Sequence, residues 1–337
     1  MTALTLAAVA VAVALGTLAV TALARFAPRL PHATPSGRSL HAGAIPRAGG
    51  CAIWAGFLPV ALWLPPAFPG GGLIGWLPAF IAVLAVSALD DLRDVRPPVR
   101  LAVHLCAAAW CAWWLWRGAD ASVPLSPSAL VAILAMTLTI AWSANLYNFM
   151  DGSDGLAATM TMIGFGAYGI AGSLSGEAGA AFLALAAATL PFLLVNRPPA
   201  TMFMGDVGAV PLGFLAAAFG LAGAMTGIWP AWFPVLVFLP FIADASVTLA
   251  RRAARGARLA DAHREHYYQR LHRMGAGHAG TLGAYSAAMA ATSVAALVCL
   301  ALAPAWGGTV LALASVVCFT LFGAIDYHWR RRPSPPR

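Results

Sequence analysis

The chain has 337 residues, of which 61% are hydrophobic and 9% charged, against about 25% charged in an ordinary soluble domain. With a mean hydropathy of +0.78, its 20 basic and 12 acidic side chains cannot supply the polar skin of a water-soluble globule, and disordered, collagenous and disulfide-scaffold classes fall by the same arithmetic. The composition predicts an all-α polytopic membrane protein, and the net charge of +8 reads as membrane topology rather than as a nucleic-acid surface.

A bilayer crossing needs about 20 apolar residues. Eleven such segments follow one another, near 3–24, 48–66, 73–89, 100–117, 128–146, 156–174, 178–195, 208–226, 229–249, 281–302 and 306–326. No basic residue precedes the first of them, so a retained span is expected there rather than a cleaved signal peptide. The eleven leave no room for a separate soluble domain. Residues 1–337 therefore read as one integral-membrane domain, with 251–280 its largest loop. The five cysteines lie in apolar stretches without CxxC spacing and read as small buried hydrophobes.

The loops carry the chemistry. Between the first two spans stand Arg38-Ser-Leu-His41 and Pro46-Arg-Ala-Gly-Gly50. The third span closes on Ser87-Ala-Leu-Asp90-Asp91-Leu-Arg-Asp94. If the helix continues, Asp90 and Asp94 are neighbours one turn apart, and three carboxylates so close repel unless a cation or basic ligand sits among them. The competing reading is a solvated helix end balanced by Arg93, Arg96 and Arg100. The fifth span ends in Asn145-Leu-Tyr-Asn148-Phe-Met-Asp151-Gly-Ser-Asp154-Gly155. Its amides and carboxylates recur every three residues as a polar ridge, with the oxygen ligands that a hard cation such as Mg²⁺ prefers.

Before the eighth span comes Asn196-Arg-Pro-Pro-Ala-Thr-Met-Phe203-Met-Gly205-Asp206-Val-Gly208, with one carboxylate between two glycines. Asp244 lies inside the ninth span, where a carboxylate is costly and points to function. The 251–280 loop holds the dense His263-Arg264-Glu265-His266 group, whose spacing does not fit a zinc site. Its flanking arginines, Arg252 and Arg255 among them, read as lipid-facing charges.

With odd-to-even loops on one side, 19 of the 20 arginines fall there, leaving only Arg117 opposite. The positive-inside rule then places the N-terminus outside and the C-terminus in the cytoplasm. Ten of the twelve acids, all but Asp120 and Glu177, share the arginines' side. That rule does not sort acids, so their clustering predicts a functional cytoplasmic face. An ion-coupled transporter is the rival reading, but transporter sites lie near the bilayer midplane, whereas these acids gather at one edge.

Taken in order, the motifs at 38–50, 90–94, 145–155, 203–206 and 263–266 resemble the polyprenyl-phosphate N-acetylhexosamine-1-phosphate transferases (glycosyltransferase family 4). The resemblance implies transfer of an N-acetylhexosamine-1-phosphate from a UDP-sugar to undecaprenyl phosphate, releasing UMP, in the bacterial inner membrane with Mg²⁺ (or Mn²⁺) as cofactor. By matched position, Asn148 and Asp206 correspond to metal ligands. Asp90, Asp91 and Asp151 correspond to the catalytic acids at the lipid-phosphate site. Asp154, Asn196 and Phe203 correspond to uridine contacts, and His263, Arg264 and His266 to the loop over the diphosphate or sugar.

Ala48 and Ala209 depart from the family's usual Gly and Ser without removing a ligand. The His triple of the peptidoglycan branch is replaced by His-Arg-Glu-His, so the resemblance points to the O-antigen or capsule-initiating branch, with GlcNAc or a deoxy relative such as FucNAc or QuiNAc as the sugar. It is compatible with a homodimer.

Overall fold

A computed structural model describes residues 2–33, 45–119, 125–176, 179–258 and 263–331. Among them are thirteen α-helices: α1 (Ala3–Arg25), α2 (Gly49–Trp63), α3 (Leu73–Arg93), α4 (Pro97–Ala119), α5 (Pro127–Met150), α6 (Leu156–Leu174), α7 (Ala180–Asn196), α8 (Asp206–Met225), α9 (Trp232–Val237), α10 (Leu239–Ala254), α11 (Tyr267–Leu271), α12 (Gly277–Leu302) and α13 (Gly307–Arg330). A two-stranded antiparallel ribbon pairs β1 (His32–Ala33) with β2 (Ile45–Pro46). The Arg38 to His41 motif lies outside the described residues.

The protein is an all-α polytopic membrane protein. Seven helical stretches are long and apolar enough to cross a bilayer: α1, α3, α4, α5, α8, the α11–α12 run and α13. The shorter α2 and α7 are apolar as well. Each predicted segment falls on helix, with one correction. Residues 229–249 form two helices that meet at Phe238 (φ −94°, ψ 10°), because Pro240 in the first turn of α10 has no N–H to continue the preceding ladder. Helix α10 then runs on to Ala254 and takes the first arginines of the 251–280 loop with it.

Local chemistry sets the ends. The Ser126 hydroxyl accepts from the Ala129 N–H (3.2 Å) at the start of α5, with Pro127 behind it, and Thr2 caps α1 through the Thr5 N–H (3.2 Å). Since the helices are apolar all round, neighbours rather than amphipathicity decide which are inside. Helix α8 is central, with 83% of its span buried, and α13 is peripheral, with 11%.

Lipid tails are as apolar as side chains, so close packing rather than water exclusion must hold such a bundle together. Around α8, Phe219 lies edge-on to Trp76 of α3 (5.3 Å between ring centres) and to Phe182 of α7 (5.4 Å). The Tyr168 hydroxyl of α6 donates to the Ala216 carbonyl (3.0 Å). At the N-terminal end of α8 the polar loops meet.

Candidate active site

The segment before α8 is fastened to the start of α2. Phe203 N–H donates to the Pro46 carbonyl (2.8 Å), Gly49 N–H to the Phe203 carbonyl (2.9 Å) and Gly50 N–H to the Met204 carbonyl (2.9 Å). Gly205 turns the chain into α8 with φ +75°, and a Cβ there would lie 2.7 Å from Asp91 Oδ2. Only glycine fits both that backbone and that approach.

Asp91, at the end of α3, spends both oxygens on the first amides of α8. Oδ1 accepts from Asp206 N–H (3.2 Å) and Oδ2 from Val207 N–H (2.9 Å). It caps another helix, complementing the positive end of that helix's dipole. Arg47 lies alongside, its Nη2 3.4 Å from the Asp91 carbonyl and its Nε 3.7 Å from Oδ1.

Asp90, one residue earlier, accepts from Val95 N–H (2.7 Å) and is paired with Arg100 of α4. The same Arg100 nitrogen reaches Asp206 Oδ2 at 3.2 Å, and Asn148 Nδ2 of α5 donates to that oxygen at 3.3 Å. Side chains of α3, α4, α5 and α8 thus converge on one arginine and one carboxylate. Asp94 does not join them. Helix α3 stops at Arg93, and Asp94 is exposed in the left-handed region, so the one-turn pairing of Asp90 with Asp94 is not made. Asn145 also turns away and donates to its own helix at Ala141 (2.8 Å).

Asp151, just past α5, is half-buried. Burial, followed by repulsion from Asp206, Asp91 and Asp154, holds its carboxyl well above the ordinary carboxylate range. Asp154 and Asn196 are buried struts. Asp154 Oδ2 accepts from Ala200 N–H (3.0 Å), while Asn196 accepts from Gly155 N–H (3.0 Å) and donates to the Met202 carbonyl (2.9 Å). Together they shape the 197–205 turn that carries Phe203.

The 263–271 segment is seated on this floor from the other side. Asp244, wholly buried, accepts from Tyr267 N–H (2.9 Å), Tyr268 N–H (3.0 Å), the Thr248 hydroxyl (3.2 Å) and the Tyr285 hydroxyl, and lies 3.2 Å from His266 Nδ1. The Tyr268 hydroxyl donates to the Phe149 carbonyl (3.1 Å). A Cβ on Gly152 would sit 2.0 Å from that hydroxyl, so glycine there makes the contact sterically possible. His266 stacks between Phe149 (6.1 Å) and Tyr268 (5.7 Å), with His263 5.0 Å away. Phe149 adjoins Asn148 in sequence, so the histidine segment packs on the end of α5 that also carries Asn148. Arg264 is half-buried beside the histidines.

Arg252 is a correction. It is buried, bonded to Glu265 (2.6 Å) and to the Arg258 carbonyl (2.8 Å), and it faces protein rather than lipid. Burial favours the neutral form of Glu265, but Arg255 and Arg252 override it and hold the carboxyl below its ordinary range.

Sequence reasoning passed over Asp326. The rule that singles out an intramembrane carboxylate applies to it as much as to Asp244, for it stands at the end of the last span. It pairs with Arg251 and Arg270 and accepts from the Tyr267 hydroxyl (3.2 Å), fastening α13 to the histidine segment. His278, which lies 3.1 Å from the Ser153 hydroxyl, carried no sequence signal.

Residues 73–224 match the family described as glycosyl transferase family 4. Over 252 residues the chain is 28% identical to the probable undecaprenyl-phosphate N-acetylglucosaminyl 1-phosphate transferase of Bacillus subtilis (strain 168), covering 72% of this chain and 70% of that one. It is 28% identical over 262 residues to the undecaprenyl-phosphate alpha-N-acetylglucosaminyl 1-phosphate transferase of Yersinia pestis (72% and 69%). Through residues 73–224, just under half of its length, the chain is similar to glycosyl transferase family 4.

It is also 30% identical over 156 residues to the phospho-N-acetylmuramoyl-pentapeptide-transferase of Streptococcus pneumoniae (strain CGSP14), but there it spans only about half of the relative, 45% of this chain and 47% of the other. The family match contains Asp90, Asp91, Arg100, Asn148, Asp151, Asp154, Asn196, Phe203 and Asp206. It stops before Asp244 and the histidine segment, so the glycosyl transferase family 4 match covers the floor of the site and not its rim.

Proposed function

We propose that the protein transfers an N-acetylhexosamine-1-phosphate, GlcNAc or a deoxy relative such as FucNAc or QuiNAc, from its UDP-sugar to undecaprenyl phosphate. The products are undecaprenyl-diphospho-sugar and UMP, and the reaction starts a cell-surface glycan such as an O-antigen in the bacterial inner membrane. The observation that carries this reading is the convergence of Asp90, Arg100, Asn148 and Asp206, from four helices, at one end of a membrane bundle. A lipid phosphate and a water-soluble diphosphate can both reach such a place. The longer overlap with N-acetylglucosaminyl relatives favours the hexosamine branch, as does His-Arg-Glu-His in place of a His triple.

The residues present fit a Mg²⁺ ion. Asp206 Oδ2 lies 3.3 Å from the Asn148 amide nitrogen, and a flip of that amide would turn its oxygen, a second hard donor, to the same place. Among the described residues no three His, Cys, Asp or Glu side chains converge as a metal cage. The remaining ligands would therefore be phosphate and water oxygens, the usual manner of Mg²⁺. When bound, the ion would offset charge on the leaving phosphate.

The chain's own residues do the positioning, which is most of what phosphoryl transfer asks of a protein. Arg100 and Arg47 offer cationic donors for the meeting phosphates. A phosphate monoester with a second pKa of about 6 is already mostly deprotonated at neutral pH, so no strong base is required. Asp91 has its oxygens committed to amides and Asp90 to Val95 and Arg100, which suits orientation of Arg100 and α8. Asp154 and Asn196 set the turn that offers Phe203 to the uridine. His263, Arg264 and His266 border the diphosphate and sugar.

The N-terminus lies outside and the C-terminus in the cytoplasm, where nucleotide sugars are found. The deciding measurement is UMP release from UDP-GlcNAc and related UDP-sugars with and without undecaprenyl phosphate. Release that needs the lipid supports the reading, and none with any sugar overturns it.

A further inference from the structure

One turn beneath the Asp90–Arg100 pair, the interior holds polar atoms with nothing to bond. His104 of α4 is 4% exposed, and both its ring nitrogens lack a hydrogen-bond partner among the described residues. The same holds for the hydroxyl of Ser87 on α3, which is 2% exposed. His104 follows Arg100 by four residues and Ser87 precedes Asp90 by three, so each lies about 5 Å below its partner on the same helix face. The two helices are antiparallel and joined by the Arg100–Asp90 contact, which puts Ser87 and His104 at matching depth. At the mouth, Arg47 Nε is also buried without a hydrogen bond among the described residues.

A buried imidazole and hydroxyl left unpaired cost stability, and native interiors seldom leave such groups unexplained. The carboxylates cannot answer them: Asp91 is spent on α8 amides, and Asp90 on Val95 and Arg100. What remains unspent here is donor capacity, from a guanidinium, a hydroxyl and an imidazole N–H, and converging donors suit an oxyanion. The level they occupy separates two candidates. Ser87 and His104 lie inside helices apolar enough to span a bilayer, on the membrane side of the acid cluster, and the tip of the α3–α4 hairpin exposes Leu92 and Val99. A soluble nucleotide meets the cluster from the aqueous side, whereas a phosphate carried on a hydrocarbon chain comes from the membrane, past Leu92 and Val99, which stand among the exposed Arg93, Asp94 and Arg96 of the tip.

We infer that His104 and Ser87 are positioning residues that form the inner wall of a pocket for the phosphate of the membrane-borne acceptor, with Arg47 and Arg100 at its mouth. This rests on the transferase reading for the acceptor's identity. The pocket's donors carry no sequence motif, since a lone His and a lone Ser in apolar helices are individually unremarkable.

The test uses the full chain in detergent, with wild type, His104→Leu, His104→Gln and Ser87→Ala. Two quantities are read: KM for undecaprenyl phosphate and for the UDP-sugar, and the thermal midpoint without lipid, with undecaprenyl phosphate and with undecaprenol. His104→Leu should raise the acceptor KM at least tenfold and leave the UDP-sugar KM within twofold. It should also raise the lipid-free midpoint, because a buried unpaired group is gone, and lose the extra stabilisation that undecaprenyl phosphate gives over undecaprenol. A merely structural histidine would do the opposite to the lipid-free midpoint. His104→Gln, a neutral donor of similar reach, should stay within threefold of wild type.

Ser87→Ala should raise the acceptor KM severalfold, and it decides the matter if His104→Leu does not fold. An active wild type whose acceptor KM and phosphate-dependent stabilisation are unmoved by these substitutions overturns the pocket and leaves the transferase reading intact. A wild type without acceptor-dependent UMP release, in which phosphate stabilisation is still lost in His104→Leu, overturns the transferase reading and supports the pocket.

Discussion

Two buried acid sites of this protein lie at the same end of the bundle and differ in how far their bonding is satisfied. Asp244 is saturated: two backbone amides, two hydroxyls and an imidazole surround one carboxylate. The α3–α8 cluster is not. Asp90 and Asp206 share a single Arg100 nitrogen, and repulsion from neighbouring acids contributes to holding the Asp151 carboxyl up. The first arrangement is self-sufficient and behaves as a rivet between α10, α11 and α12. The second has a charge balance that the proposed cation and phosphates would complete. A carboxylate inside a membrane helix therefore marks either a rivet or a reaction site, and the partner list separates the two.

The sharpest way to break this contrast is at Asp206. Asp206→Asn and Asn148→Ala should each lower turnover by at least 10²–10³, the range for losing one electrostatic group at a transition state, while the protein still folds. Near-normal turnover of Asp206→Asn at ordinary Mg²⁺ would contradict the proposed metal role. Asp244→Asn should do the reverse: a loss of about 3–5 kcal/mol of stability from breaking a buried charged network, read as a lower thermal midpoint, with residual activity following the folded fraction. If it instead abolished turnover in fully folded protein, Asp244 would belong with the reacting groups.

Arg264→Lys and His266→Ala lie between these extremes. Each should cost at least tenfold in rate, about 1.4 kcal/mol: the first because a planar guanidinium can grip a phosphate at two points and an ammonium cannot, the second because an imidazole donor is lost. Arg255→Ala serves as the mild control, its partner Glu265 keeping Arg252. Arg252→Ala is expected to be the more harmful of the two, lowering stability by about 1–3 kcal/mol through the unpaired Glu265 and Arg258 carbonyl.

Glu265 has its folded pKa depressed, so its contribution is present above the ordinary glutamate value of about 4.3 and disappears as pH falls through the depressed one. Between pH 7 and 5 the gap between wild type and Arg252→Ala should hold steady, and it should close only in more acid solution. The smallest effect is expected of reporter fusions, which should leave activity in place while those after Arg117 and Arg273 report opposite sides. The same side for both would undo the eleven-span topology.

Much of this was written in the sequence. Apolar runs of about 20 residues determine the helices because unpaired backbone cannot exist in lipid, and Pro, Ser and Thr mark their starts. The residues of the acid cluster were legible as types and spacings: Asp90, Asp91, Asn148 and Asp206 each stand at a helix end beside a loop. Their partners were not, because contacts between residues more than a hundred positions apart, such as Asp91 with Asp206 and Val207, leave no local pattern.

The fold alone decided that Asp91 caps α8, that Arg252 is a buried strut, and that Asp94 turns away once α3 stops at Arg93. It alone joined Asp326 of the last helix to Arg251 and Arg270, and left His104 and Ser87 unpaired among the described residues at one depth. A sequence determines what each residue can bond. Which of those bonds is made depends on how helices pack across the bundle, where a shift of one turn exchanges every partner.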